Sequence, residues 1–235
     1  MIAGGPGDGV DEAPTIAREM VATAGEGWGC DSRYAAHRCL WGRSPDPVAQ
    51  TLARLLPPDG ATVLDAGCGE GRNAVFLAGC GARVRAVDAS RVALENGRAA
   101  WPGVEGVSWE EADLRAVPLA PSSLDGVLAC SVFHWVEGPA EIEEVVERLR
   151  RATRPGGLHA LSVFNDRVPY EAPAGEQRAP CLLPHAWYLE RYADWIVLEE
   201  SDEEEHGSHR GHREQHTHAV TRLVAMRPTE TAEAA

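Results

Sequence analysis

An α/β fold, with a mostly parallel sheet covered by helices on both faces, is what this sequence predicts, and three observations predict it. Short apolar runs alternate with amphipathic stretches from residue 46 to residue 164. Three glycines, Gly67, Gly69 and Gly71, directly follow the first apolar run. Acidic residues, Asp88 and Asp113, close the next two runs. Strands alternating with helices through short turns pair in parallel, and ligands of such sheets sit beyond the carboxyl ends of the strands, where the strand order reverses.

The elements follow in order. "DPVAQTLARLL" carries apolar residues at helical spacing. "ATVLDAG" is a short strand ended by glycine, and "GRNAVFLAGCG" a helix closed by glycine. "RVRAVDAS" is the second strand, followed by the helix "SRVALENGRAA". "GVSWEEADL" is the third strand, and "LDGVLACSV" the fourth, apolar enough to be central. "PAEIEEVVERLRRAT" is a helix with proline in its first turn, and "PGGLHALSVF" turns at Gly156-Gly157 into a fifth strand. Residues 165–184 break the rhythm with prolines and no period, as a lid loop does. "HAWYLERYAD" reads as a helix, while "WIVLEE" and "HAVTRLVAM" read as an antiparallel pair of strands. The acidic and His-rich stretch between them is expected to supply the hairpin connection and the strand ends flanking it. The expected layout is therefore a flexible arm over 1–25 and one domain over 26–228. That domain holds seven strands, with its C-terminal hairpin in 195–228, and a tail follows over 229–235.

Composition narrows the chemistry. The net charge is −14 and no long basic stripe is visible, which argues against nucleic acid as a partner. No apolar run approaches the roughly 20 residues that span a bilayer. The first 25 residues lack a secretory pattern. The six cysteines include no C-x-x-C pair and read as reduced thiols. The expectation is a soluble, cytoplasmic protein, monomer or homodimer, acting on a small molecule. All 22 basic residues are arginine, so Schiff-base and lysine-base chemistry are excluded.

The informative stretch is "VLDAGCGEGRNAVFLAGCGARVRAVDAS", residues 63–90. A dinucleotide fingerprint would place a third glycine at position 72, where this chain has Arg72. The spacing is instead D-x-G-x-G-x-G, starting at Asp65. Asp88 can accept two hydrogen bonds from a ribose diol. Asp113 can accept from an exocyclic adenine amine, and the Leu114 N–H can donate to a ring nitrogen. Together these describe a nucleoside pocket with no phosphate to cradle, which points to S-adenosylmethionine (SAM).

Residues 60–163 resemble a class I SAM-dependent methyltransferase, which has a Rossmann-like fold. The likeness rests on "LDAGCGEGRN" for the glycine motif, "SLDGVLACSVFHWV" for the fourth motif and "RATRPGG" for the turn into the fifth strand. "LWGRSPDP", "GEGRNAVFLA" and the final hairpin ending "LVAMRP" resemble the tellurite-resistance, thiopurine-like group. The resemblance implies that Gly67, Gly69 and Gly71 face the methionine part of SAM. It also implies that Asp88, with Ala89, binds the ribose, that Asp113 and Leu114 bind the adenine, and that Cys130 and Ser131 line the sulfonium side. Arg43 is a candidate for the cofactor carboxylate or a surface cation. Trp41 covers the cofactor or belongs to the core. The group methylates soft or small nucleophiles, so a thiol or other chalcogen is the expected acceptor. The alternatives are O- or N-methylation of a natural product, or a SAM- or metal-binding regulator.

Three sources of polar groups are candidates for the acceptor side. His134, in "SVFHWV", is a base, a substrate contact or a packed histidine. Tyr170 lies in the lid loop and closes over substrate or packs at the rim. The hairpin offers His206, His209 and Arg210, after "EESDEEE", whose acids favour protonated imidazole. His206, His209, His212, His216 and His218 match no strict metal spacing, so a required metal is not expected.

Overall fold

The computed structural model describes residues 31–170, 179–207 and 216–229, with backbone alone for Gly207 and His216. Its sheet contains β1 (Thr62–Ala66), β2 (Arg83–Asp88), β3 (Val107–Glu111), β4 (Leu124–Cys130), β5 (Thr153–Phe164), β6 (Ile196–Gly207) and β7 (His216–Met226). The order across the sheet is β3-β2-β1-β4-β5-β7-β6. The first five strands pair in parallel, while β7 runs antiparallel to both β5 and β6. The order reverses between β1 and β4, so a crevice opens there at the carboxyl ends of the strands.

The helices are α1 (Asp31–Ala36), α2 (Pro47–Leu55), α3 (Arg72–Gly79), α4 (Arg91–Ala100), α5 (Gly138–Ala152) and α6 (His185–Arg191), with a 3₁₀ turn at Phe133–Trp135. Local chemistry sets their starts. Asp46 accepts the Val48 N–H ahead of Pro47, and Ser90 accepts the Ala93 N–H, so α2 and α4 are capped.

Period-two alternation divides the core. Val63 and Leu128 face α2, α3 and α4 with Leu52, Leu77 and Leu94. Leu64, Val127 and Leu161 face the other way, onto Ile142, Val145 and Leu149 of α5 and Tyr188 and Tyr192 of the α6 region. Each such fully buried aliphatic side chain stabilises the fold by about 1.5–3 kcal/mol relative to exposure. Midway along β5, buried His159 is bonded by Thr153 Oγ1 (2.7 Å) and the Tyr192 hydroxyl (2.8 Å). Burial pushes its pKa down to about 3, so this imidazole is a neutral structural link.

Three expectations change. Residues 31–36, which had no assigned element, form α1; Tyr34 is its buried residue. The fifth strand starts at Thr153, and the glycine pair lies within it beside a register shift against β4. The acidic run, expected to divide between connection and strand end, is strand throughout, since β6 continues to Gly207. Its acids are tolerated because this edge strand exposes them to water or pairs them with arginine. Arg222 bridges Glu203 and Glu205, and Arg167 bridges Asp202 and Glu204. The arm over 1–25, part of the lid loop (171–178), the hairpin tip with His209, Arg210 and His212, and residues 230–235 lie outside the described residues.

Candidate active site

A cleft of about 130 Å³ opens at the carboxyl ends of β1 to β4. The glycine loop forms its floor. Gly67, Gly69 and Gly71 all have positive φ, between 54° and 77°. Their missing side chains are required by space as well as by conformation. A Cβ on Gly67 would stand 2.3 Å from Val132, and one on Gly69 would stand 2.7 Å from the Tyr34 hydroxyl. Either addition would force the loop away from the cleft wall.

Asp88 ends β2 and is fixed from two sides. Gly69 donates its N–H to Oδ2 (2.7 Å), and Ser90 donates to Oδ1 (2.8 Å). Each oxygen keeps a second lone pair for a ligand. Asp113 lies past β3, held by Arg115 through Nε and Nη2, and this contact keeps its carboxyl below the usual range despite partial desolvation. Ala89, Leu114, Cys130 and Ser131 line the same cleft. Ser131 takes φ of +53° without being glycine, a conformation that costs about 1–2 kcal/mol. Its N–H is donated to the Ser162 carbonyl at 2.7 Å, which fixes the turn at the end of β4. Burial pushes the Cys130 thiol well up, so it stays protonated.

Asp65 lies beneath the loop, fully buried, and is not part of the cleft wall. Burial, then the nearby Asp88 charge, raises its pKa to about 7. Its Oδ2 has no hydrogen-bond partner among the described residues. Arg43 is exposed and lies over the Trp101 ring at 4.7 Å, outside the cleft wall. Arg72 lines the cleft instead, donating to the carbonyls of Trp41 (3.2 Å) and Ser44 (3.0 Å).

Trp41 does line the cleft, and its indole N–H reaches the Tyr34 hydroxyl at 3.3 Å. The strap that carries it is docked by side chains of the glycine motif. Glu70 accepts from Cys39 and Leu40, and Asn73 Oδ1 accepts the Asp46 N–H at 2.8 Å. These roof residues, Tyr34, Glu70, Arg72 and Asn73, escaped the sequence reading. Three of them stand inside "GEGRN", where only the glycines were weighed.

A second, small cavity adjoins the cleft and shares Trp41, Ser131 and Trp135 with it. Arg33, His134, Phe164, Tyr170 and His218 complete its wall. Two residues expected on the acceptor side, His134 and Tyr170, therefore meet there. His206 does not: it is exposed on β6 and bonded through Nδ1 to Thr217 Oγ1 at 2.8 Å. His218, on the neighbouring strand, occupies the wall instead, stacked on Phe164 at 4.0 Å.

Strand order, reversed final hairpin and a glycine-floored cleft flanked by two strand-end acids define the class I methyltransferase fold. Comparison with known proteins agrees. Residues 63–157 match the family model of a methyltransferase domain. A trans-aconitate 2-methyltransferase from Azoarcus sp. is 35% identical over 158 residues, 60% of this chain and 59% of that protein. TehB from Haemophilus influenzae superposes with a TM-score of 0.64 at 19% identity, covering 76% of this chain and 61% of that one. The 1,6-didemethyltoxoflavin-N1-methyltransferase of Burkholderia thailandensis, with bound 1,6-didemethyltoxoflavin and S-adenosylhomocysteine, gives a TM-score of 0.61 at 20% identity over 95% and 94% of the two chains. The chain spans about half the length of the curated relatives it matches. No helix among the described residues is long and apolar enough to cross a membrane.

Proposed function

We propose that this protein is a SAM-dependent methyltransferase acting on a small-molecule nucleophile. The observation that carries the reading is the pairing of Asp88, pre-positioned by Gly69 and Ser90, with a glycine floor that tolerates no Cβ. Such a site fits a nucleoside with an uncharged linkage. SAM supplies, when bound, a methyl group already activated by a sulfonium.

The chain's own residues hold, orient and exclude water. Asp88 takes the ribose hydroxyls, and Asp113 and Leu114 bracket the adenine. The glycine loop leaves space for the methionine part, with the strained Ser131 beside the transferring carbon. Trp41 and Trp135 stand where cleft and small cavity meet, so they separate the reacting atoms from solvent. Holding the nucleophile in line with the leaving sulfur, roughly 3–3.5 Å from the methyl carbon, is the main protein contribution to such a displacement.

The acceptor is a nucleophile that arrives ionised. Cys130 stays protonated, and burial lowers the His134 pKa to about 3, so neither supplies a charge at neutral pH. A thiol or other chalcogen remains the first acceptor class, resting on the likeness of the final hairpin to the tellurite-resistance, thiopurine-like group. A thiol of pKa about 8.5 needs little help to ionise. A carboxylate is the second class: it is ionised without help, and the relative named for trans-aconitate acts on a polycarboxylate. Alcohol or amine tailoring of a natural product stands behind both, because it needs a base.

Calorimetry with SAM and S-adenosylhomocysteine tests the cofactor reading. Methyl transfer from labelled SAM to thiol, carboxylate, alcohol and amine panels then tests the acceptor. Binding without multiple turnover on any panel would favour the regulator reading.

A further inference from the structure

His134 sits in the 3₁₀ turn after β4 and is 1% exposed. Its ring stacks on Phe164 at 4.4 Å with planes 13° apart, which fixes its orientation. Nδ1 faces the backbone N–H of Phe164 at 3.4 Å, so Nδ1 is the accepting nitrogen. A neutral ring then carries its proton on Nε2. That atom is buried and has no partner among the described residues. A buried donor left unsatisfied costs about as much as a lost hydrogen bond, so natural sites seldom keep one without a purpose.

The cavity beside this ring measures about 10 Å³. That is about the space one water or one oxygen atom needs. It shares Trp41, Ser131 and Trp135 with the cleft, on the side where the transferring methyl would lie. We propose that His134 binds the acceptor substrate as a fixed, neutral hydrogen-bond donor through Nε2–H, and that the acceptor therefore carries a carbonyl or carboxylate oxygen beside its methylated atom. The proposal rests on the methyltransferase reading and deepens it. It removes His134 from the role of base: its accepting nitrogen is already engaged and its free position holds the proton. Desolvation keeps the ring neutral across the physiological range, with His218 opposing protonation further. The titratable groups facing the cavity are Arg33 from α1, Tyr170 from the segment after β5 and His218 from β7.

The experiment uses the full chain saturated with S-adenosylhomocysteine, with benzoate as the oxygen-bearing probe and toluene as its oxygen-free counterpart. Nitrogen-15 NMR of the imidazoles is expected to show His134 as the Nε2–H tautomer, untitrated from pH 6 to pH 9. Benzoate should shift that Nε2–H resonance, and toluene should leave it in place. His134→Gln keeps an N–H donor, so benzoate affinity should stay within about fivefold of wild type. His134→Phe keeps the stacked ring without the donor and should weaken benzoate at least about tenfold. S-adenosylhomocysteine affinity in both variants should match wild type, which checks the fold. The Nδ1–H tautomer, titration within that pH range, absent benzoate binding, or equal benzoate affinity in wild type and His134→Phe would each overturn the proposal. Failure of wild type to bind S-adenosylhomocysteine would instead undo the methyltransferase reading, while the tautomer of His134 remained readable.

Discussion

The carboxylate of Glu70 accepts the backbone N–H of Leu40 at 2.6 Å, across 30 residues of chain. The same side chain accepts from Cys39 at 2.8 Å, and it is 7% exposed. One glutamate of the glycine motif thus fastens the strap that brings Trp41 over the cleft. Glu70→Gln exchanges one accepting oxygen for an NH₂ group facing a backbone donor. The loss should be about 1–3 kcal/mol. It should appear as faster SAM dissociation in stopped-flow measurements, with the secondary structure intact. Unchanged dissociation would mean that the strap does not retain the cofactor.

Asp88→Ala removes the proposed ribose partner and the acceptor for Gly69 N–H together. SAM affinity by calorimetry should fall by at least about 1.5–3 kcal/mol, the range for bonds to a charged group. Asp88→Asn, which keeps one accepting oxygen, should lose less. Equal affinity in wild type and Asp88→Ala would take Asp88 out of the site.

Asp65 gives a pH dependence with a definite sign. Its folded pKa of about 7 lies above the ordinary 3.8, so between those values the folded protein binds more protons than the unfolded chain. The stability it contributes is complete below pH 4 and is lost as pH rises through 7. Asp65→Asn is permanently neutral and should abolish this slope. Denaturation curves at pH 5 and pH 8 should show the variant gaining on wild type at the higher pH, by about 2–3 kcal/mol for the two pKa units that lie between pH 5 and the folded pKa. Parallel curves at both pH values would show that Asp65 titrates in its ordinary range.

Turnover should not need a metal. The ground is the sequence: the five histidines between residues 206 and 218 match no strict metal-ligand spacing. Enzyme treated with a chelator and freed of it should keep its rate. If one equivalent of a divalent ion restores a lost rate, the hairpin tip around His209 and His212 becomes the metal site.

Most of the strands were legible as short apolar runs bounded by turn residues or amphipathic stretches, the form a sheet covered on both faces takes. The place of Asp88 and Asp113 on the cleft wall was legible too, since acids at or just past the carboxyl end of a strand lie beside such a cleft. The wall of the small cavity was not. His218 reaches it only because β7 lies beside β5, a pairing between residues far apart in sequence that no local pattern announces. Tyr34 was hidden in a short polar helix with too little periodicity to read. His206 looked suited to the substrate pocket, yet the alternation of a long β6 leaves it in solvent, bonded to Thr217.

The placement of β7 between β5 and β6 also bears on synthesis. Through Phe164 the growing chain can pair β1 to β5 in parallel, but the outer edge of β5 stays open. Its proper neighbour ends at Met226, and β6, made first, is no substitute because it pairs with β7. A ribosome-bound chain therefore carries a raw, largely apolar strand edge for more than fifty residues of elongation, the interval in which edge-to-edge association with another nascent chain competes with closure. The dense acids of β6, made just before β7, add negative charge to the unclosed chain, and like charge on two such chains opposes their association.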